Sequence, residues 1–179
     1  MAVSFTRVTP ADAEGIIDFL SSNAFPFHVK ATQTAEEAAS SVRAGRFWNP
    51  ESQGYWIDDD GARLGMVVLE DLEDPTPMFD LRLAEACRGQ GKGADVLRAL
   101  CGLVFTSLPE ALRFEGQTRE DNIAMRKTFI RCGFLKEAHY RLGWPTADGG
   151  HVASVAYAML RQDWSSGTVT GFEWEDLRA

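Results

Sequence analysis

Cysteine and histidine are scarce in this chain, with three of each among 179 residues. Cys87, Cys101 and Cys132 are too few and too unpatterned for a disulfide framework or a zinc set, so buried thiols in a reducing compartment are expected. No metal is expected either. No apolar run approaches the roughly 18 residues of a membrane span, and Met1 to Thr6 lacks the basic-then-apolar order of a secretion signal. The expectation is a soluble, cytoplasmic protein with no membrane partner. Basic residues are in deficit, 18 Lys and Arg against 26 Asp and Glu, for a net charge of -8. With that balance and no basic stripe, no nucleic-acid partner is expected. Internal repeats and low-complexity segments are missing as well.

What the chain does have is apolar content, 45% of its residues, enough for one ordinary core without metal or disulfide support. Charge is unevenly placed. Residues 48 to 87 hold ten acids and two bases, whereas residues 88 to 141 hold ten bases and six acids. The basic part suits an anionic cofactor and the acidic part a cationic partner such as an amine, although two solvated faces would look the same.

Taken in order, Val3 to Val8 alternates as a strand, and Thr9-Pro10-Ala11-Asp12 opens a helix with Ile16, Ile17 and Leu20 inward. Phe25-Pro26-Phe27-His28 is an aromatic loop, either part of a substrate pocket or a cover over the core. Thr34-Ala35-Glu36-Glu37 is a second capping box. Tyr55 to Leu69 reads as an antiparallel hairpin around an acidic turn, and Phe79 to Ala84 as the next strand. After a glycine-rich loop come a helix ending near Pro109, a strand at Leu112 to Gln117, and a short helix at Asn122 to Cys132 with Gly133 as its cap. A terminal hairpin spans Leu135 to Arg161. A single domain over residues 1–164 is expected, with 165–179 as a loosely held tail or an arm that docks on a neighbour.

The loop Arg88-Gly89-Gln90-Gly91-Lys92-Gly93-Ala94 joins a strand to a helix. Glycines there allow positive φ and close backbone approach, and the helix start supplies free N–H groups, so an anion such as phosphate is expected to bind. Spacing separates three readings. A P-loop would need glycine and a hydroxyl residue where Ala86 and Gly93 stand. A dinucleotide fingerprint fits Gly89, Gly91 and Ala94, but it opens a series of parallel βαβ units, and this loop follows a β-α-α-β-β-β order. The third reading takes Arg88, Gly91 and Gly93 as an R-x-x-G-x-G/A signature.

On that signature the sequence resembles the GNAT superfamily of N-acetyltransferases. Asn122-x-x-Met125, Phe129 and Cys132-Gly133-Phe134 extend the likeness. With the ending Ala158 to Trp164, they look most like the branch that includes ribosomal-protein N-terminal acetyltransferases. The resemblance implies an α/β (α+β) GNAT fold, a mixed, mostly antiparallel sheet of about seven strands flanked by about four helices. It implies acetyl-coenzyme A as co-substrate, held by Leu83, Ala84, Arg88, Gly89, Gln90, Gly91, Lys92, Gly93, Ala94, Asn122 and Arg126, with Lys127 beside Arg126 on the short helix a further candidate for the coenzyme phosphates. The acceptor would be a small-molecule amine or a protein N-terminus, and a homodimer is left open. Two positions depart from the pattern: Phe129 stands where many members carry a tyrosine acid, and Ala153 where the branch commonly has Asp.

Acetyl transfer to an amine needs a neutral nitrogen, a polarised carbonyl and a leaving thiolate. A thiol pKa near 8.5 lets the thiolate leave without a strong acid. For the base, Asp80, Glu115 and Glu70 are the candidates, acting directly or through water. Phe27, Trp48, Trp56 and Trp144 are expected on the acceptor side. A non-catalytic acyl-coenzyme A sensor of the same fold is the alternative.

Overall fold

The structure is a computed structural model that describes residues 3–174. Seven strands, β1 (Val3–Arg7), β2 (Gln53–Asp59), β3 (Ala62–Glu70), β4 (Met78–Leu83), β5 (Arg113–Arg119), β6 (Leu135–Pro145) and β7 (His151–Leu160), form one sheet in the order β1-β2-β3-β4-β5-β7-β6. Five helices accompany them: α1 (Ala13–Ser22), α2 (Ala35–Arg43), α3 (Lys92–Ser107), α4 (Ile123–Arg131) and α5 (Arg161–Ser166). All neighbouring strands are antiparallel except β4 and β5. The fold is the mixed α/β architecture expected from the sequence, with α5 as the helix beyond the expected four.

Local chemistry sets the helix starts. The Thr34 hydroxyl accepts from the Glu37 N–H at 3.2 Å, and the Glu37 carboxylate accepts from the Thr34 N–H at 3.0 Å. Two orphan donors of α2 are thereby satisfied at once. At α1 the corresponding box, Thr9 with Asp12, closes a single 3₁₀ turn before the α-helix begins.

Alternation along the strands divides the interior into two cores. Val67 and Leu69 of β3 face one side with Ile57, Phe79, Phe114 and the apolar stripe of α3. Met66 and Val68 face the other with Trp56, Val8, Ile16 and Leu20 of α1. Each fully buried aliphatic side chain contributes about 1.5–3 kcal/mol, so both sheet faces must be covered for the fold to hold. α3 and α4 therefore lie on one face, and α1 and α2 on the other.

The site is created by what β4 and β5 fail to do. They share a single register pair, Met78 with Glu115, and then part. The Ala84 N–H returns to Leu64 O on β3 at 2.8 Å, and Pro77 O receives the Glu115 N–H at 3.1 Å. By alternation, the peptide groups of Leu81 and Leu83 face the side from which β5 has parted. A cleft opens there, bordered by β4, the glycine loop and α4.

The structure describes part of the segment expected as a tail, residues 165–174, all of it exposed. Thr170 donates to the buried Asp163 carboxylate through its N–H at 3.0 Å and its hydroxyl at 2.7 Å. Lys136 lies over the Trp174 ring at 5.5 Å. Residues 165–174 thus return to their own chain, while 175–179 lie outside the described residues. Among the described residues, no helix is long and apolar enough to cross a membrane.

Candidate active site

Two cavities fill the cleft and share a wall. The first, of about 390 Å³, runs from the glycine loop to β4 and α4. The second, of about 520 Å³, lies beyond it between α2, β3, β4 and the β6–β7 hairpin. Phe27, His28, Leu81, Arg82, Asn122 and Met125 line both.

The glycine loop has the predicted form. After a 3₁₀ turn at Glu85–Cys87, Gly89 and Gly91 adopt φ of 76° and 80°. A β-carbon added at either would meet nothing within 4 Å, so both backbones border open space. Gly91 is the N-cap of α3 and offers no side-chain cap, which leaves the first N–H groups of a 16-residue helix free for an anion. These features fit a coenzyme pyrophosphate.

Most of the expected cofactor residues line this first cavity: Leu83, Arg88, Gly89, Gly91, Lys92, Gly93, Ala94 and Asn122. Three do not. Ala84 is tied to β3, and the Gln90 amide donates to Ala86 O at 2.6 Å. Arg126 turns away to Glu120 O at 2.7 Å and the Tyr157 hydroxyl at 3.3 Å. In its place Lys127 and Arg131, one turn apart on α4, face the cavity with Ala124 and Thr128. The four-residue spacing from Ala124 to Thr128 and from Lys127 to Arg131 was the available signal. Lys92 is braced by an ion pair with the buried Asp59, which raises its ammonium above the ordinary lysine value. Asn122 caps α4, accepting from the Met125 N–H at 3.2 Å while donating to the Thr118 hydroxyl at 2.9 Å.

The proposed carboxylates have unequal surroundings. Asp80 accepts from His28 Nε2 at 2.9 Å on one oxygen, and from Arg46 at 2.8 Å and Arg82 at 3.0 Å on the other. Burial alone would raise its pKa, but the His28 hydrogen bond and the Arg82 and Arg46 charges outweigh burial and hold it far below the usual carboxylate range. Glu70 shares Arg46 at 3.2 Å, and burial followed by the Asp80 charge pushes it upward. Both line the second cavity. Glu115 lines neither; it is buried against Arg113 at 2.5 Å and Gln117 at 2.9 Å.

Of the expected acceptor-side aromatics, Phe27 and Trp144 line the second cavity. Trp56 is instead a core residue donating to Asp12 at 3.0 Å, and Trp48 packs against the same core. His28, noted only as part of the aromatic loop, stands on the shared wall. Cys132 places its sulfur 3.4 Å from Ala94 O, and burial pushes its thiol pKa up, which is the opposite of an activated nucleophile.

A splayed β4–β5 pair, a glycine loop opening a helix and a two-part cleft agree with the acetyltransferase fold that the sequence resembles. Residues 3–135 match the family model described as an acetyltransferase (GNAT) domain, and the chain belongs to that family. Among solved structures, a protein described as a probable acetyltransferase aligns with TM-score 0.74 and 21% identity over 91% of this chain and 95% of its own. Spermidine N-acetyltransferase from Vibrio cholerae, in complex with CoA and spermine, aligns with TM-score 0.77 and 13% identity over 91% and 98%. RimL, a ribosomal-protein alpha-N-acetyltransferase in complex with coenzyme A, aligns with TM-score 0.75 and 16% identity over 89% and 94%. At these identities the likeness is one of fold. No curated protein sequence matches the chain.

Proposed function

We propose that the protein transfers an acetyl group from acetyl-coenzyme A to a primary amine, on a small molecule or a peptide N-terminus, by direct attack while both are bound. The observation that carries this reading is the wall common to the two cavities. It brings the end of a phosphate-loop cavity to within one layer of side chains of a second, mixed-charge cavity. Neighbours of the same fold support it: one is described with CoA and spermine, another with coenzyme A.

In this reading the α3 N-terminus and the backbone of Gly89 to Gly93 hold the pyrophosphate, and Lys127 and Arg131 supply positive charge opposite. When bound, the thioester supplies an activated acetyl group. The Leu83 N–H, facing the cleft, donates to its carbonyl oxygen and favours the charge that develops there. Arg82 and Phe27 confine the amine, excluding water from the attack path. Asp80 stays ionised and fully engaged by three cationic or donor groups, so it orders the wall rather than exchanging protons. Glu115, bound to Arg113 away from both cavities, takes no part.

The test mixes protein, acetyl-coenzyme A and a panel of amines, including amino acids, short peptides and polyamines, and follows thiol release. Turnover on at least one amine is expected. Coenzyme binding with no turnover on any amine would instead support a sensing module.

A further inference from the structure

We propose that Trp144 selects the acceptor, and that the acceptor is a primary amine whose nearby substituent is apolar and about as large as an aromatic ring. This rests on the acetyltransferase reading and names the substrate class of its second cavity. Trp144 lines that cavity and not the first. A bulge in the β6–β7 ladder puts it there. Tyr140 pairs with Ser154 and Trp144 with Val152, so Arg141, Leu142 and Gly143 stand opposite Ala153 alone. In an unbroken ladder Leu142 would face Val152. The two extra residues draw Trp144 back by about 7 Å, at roughly 3.4 Å per residue. The shift is toward Gln117 and Thr118 of β5, which line the same cavity.

Core packing does not account for the bulge. Leu142 has φ of 55° with 70% of its surface exposed, and Tyr140 is half exposed. The other described non-glycine residues with positive φ are Asp60 and Asp71, whose short polar side chains suit that region better than leucine does. Gly143 is confined as well: a β-carbon there would sit 2.8 Å from Tyr140 Cβ and 3.0 Å from Tyr140 O. What this strained segment achieves is the placing of Trp144. Bulges beside binding sites re-aim a side chain in this way.

The rest of the lining decides the chemistry of the substituent. Phe27, Leu81 and Met125, on the wall shared with the first cavity, are apolar, as are Met78 and Phe79. The charged lining residues are matched among themselves: Lys30 with Glu37, Arg46 with Glu70 and Asp80, and Arg82 with Asp80. Three cations face three carboxylates, so the cavity offers a polycation no net charge. A ring packed on Trp144 gains burial and an aromatic contact that a short or multiply charged amine cannot.

The experiment follows thiol release with ethylamine, 2-phenylethylamine, spermidine, and tripeptides beginning with phenylalanine or glycine. It compares wild type with Trp144→Ala, Gly143→Ala and Gly149→Ala, each checked for folding by thermal denaturation. Wild type should favour the aromatic member of each pair over the small one by about 10- to 200-fold in kcat/KM, and over spermidine as well. Whichever of 2-phenylethylamine and the phenylalanine peptide is faster gives the source of the acceptor, and either order supports the proposal. Trp144→Ala should cut the preference about tenfold or more, with coenzyme A affinity by calorimetry within twofold of wild type. Gly143→Ala forces the bulge to shift and should lower the preference too, although Gly143 lines neither cavity. Gly149→Ala, in the same hairpin with nothing within 4 Å of its added β-carbon, should keep it. A folded Trp144→Ala with a preference within twofold of wild type overturns the proposal. So does a wild type that turns over ethylamine or spermidine as well as the aromatic amines, and both results leave the acetyltransferase reading intact. An unchanged preference in Gly143→Ala overturns the role given to the bulge. A wild-type protein that turns over no amine overturns the proposal and the reading together.

Discussion

Gly91→Ala separates the strain of the glycine loop from its ligand role. Gly91 has φ of 80°, and a β-carbon there would meet no protein atom within 4 Å. An alanine held in the left-handed region costs about 1–2 kcal/mol. In a chain of this size that lowers Tm by roughly 2–8 °C. The new methyl would project into the space beside the α3 N-terminus, where the backbone must come within hydrogen-bond reach of the pyrophosphate. Loss of one charge-assisted bond of about 1.5–3 kcal/mol weakens coenzyme A about 10- to 150-fold. Gly45→Ala is the control: Gly45 also has positive φ, 72°, with nothing within 4 Å of its added β-carbon, and it lines neither cavity. Titration calorimetry with coenzyme A and thermal denaturation should show similar stability losses for both variants but weakened binding for Gly91→Ala alone. A folded Gly91→Ala that binds within twofold of wild type would refute the loop placement, and so would an equal loss in Gly45→Ala.

Two further outcomes concern stability. Arg161 donates to Ala111 O at 2.6 Å, Phe105 O at 2.8 Å and Leu108 O at 2.5 Å, tying the end of α3 to α5. Arg161→Ala should cost about 3 kcal/mol in urea unfolding, and Arg161→Lys should recover less than half because an ammonium cannot match the fork. Asp12 accepts from the Thr9 N–H at 2.8 Å and from the Trp56 indole at 3.0 Å, and these bonds lower its pKa from 3.8. A depressed folded-state pKa means the stabilisation is fully present above 3.8 and is lost as pH falls through the lower folded value. The Tm gap between wild type and Asp12→Ala should therefore be open at neutral pH and close in acid. A gap that persists unchanged below the folded pKa would show that the carboxylate charge is not its source.

Features that depend on neighbours in sequence were legible before the structure. The Thr34 box, the β2–β3 hairpin and the strand-loop-helix around Gly91 each follow from residues a few positions apart, and all three form. The Asp80 cluster does not have that property. His28 and Arg46 are 52 and 34 residues away in sequence, on segments that meet Asp80 only after the sheet has folded. From the sequence alone Asp80 was one of three candidate carboxylates, and His28 a residue of the aromatic loop. Glu115 was misplaced for a related reason: alternation says which face of β5 a residue takes, not that β4 parts from β5 just beyond it. The tie between Asp163 and Thr170 was not legible for the same reason, because the two meet only once α5 has turned the chain back.

Phe129 shows how a sequence equivalence can fail in three dimensions. Its place in α4 suggested a missing tyrosine acid, which would predict that Phe129→Tyr restores a proton donor. The ring is instead fully buried, stacked on Tyr157 at 4.8 Å and 4°, with Phe134 at 5.3 Å on another side. Its Cζ, the atom that would carry the hydroxyl, lies 2.6 Å from where a β-carbon on Gly116 would sit, and the Phe79 Cζ is as close to that point. The tyrosine oxygen would be driven into the β5 backbone on the core side of the sheet. Overpacking costs about 1–3 kcal/mol, and a buried hydroxyl without a partner costs about 1–3 kcal/mol more. Phe129→Tyr should lose about 2–6 kcal/mol in urea unfolding, the sum of those two terms, and gain no rate of thiol release. A variant that kept its stability and raised kcat would mean the ring swings into the cleft. The core packing of Phe79, Phe129 and Tyr157 against bare Gly116 would then be wrong.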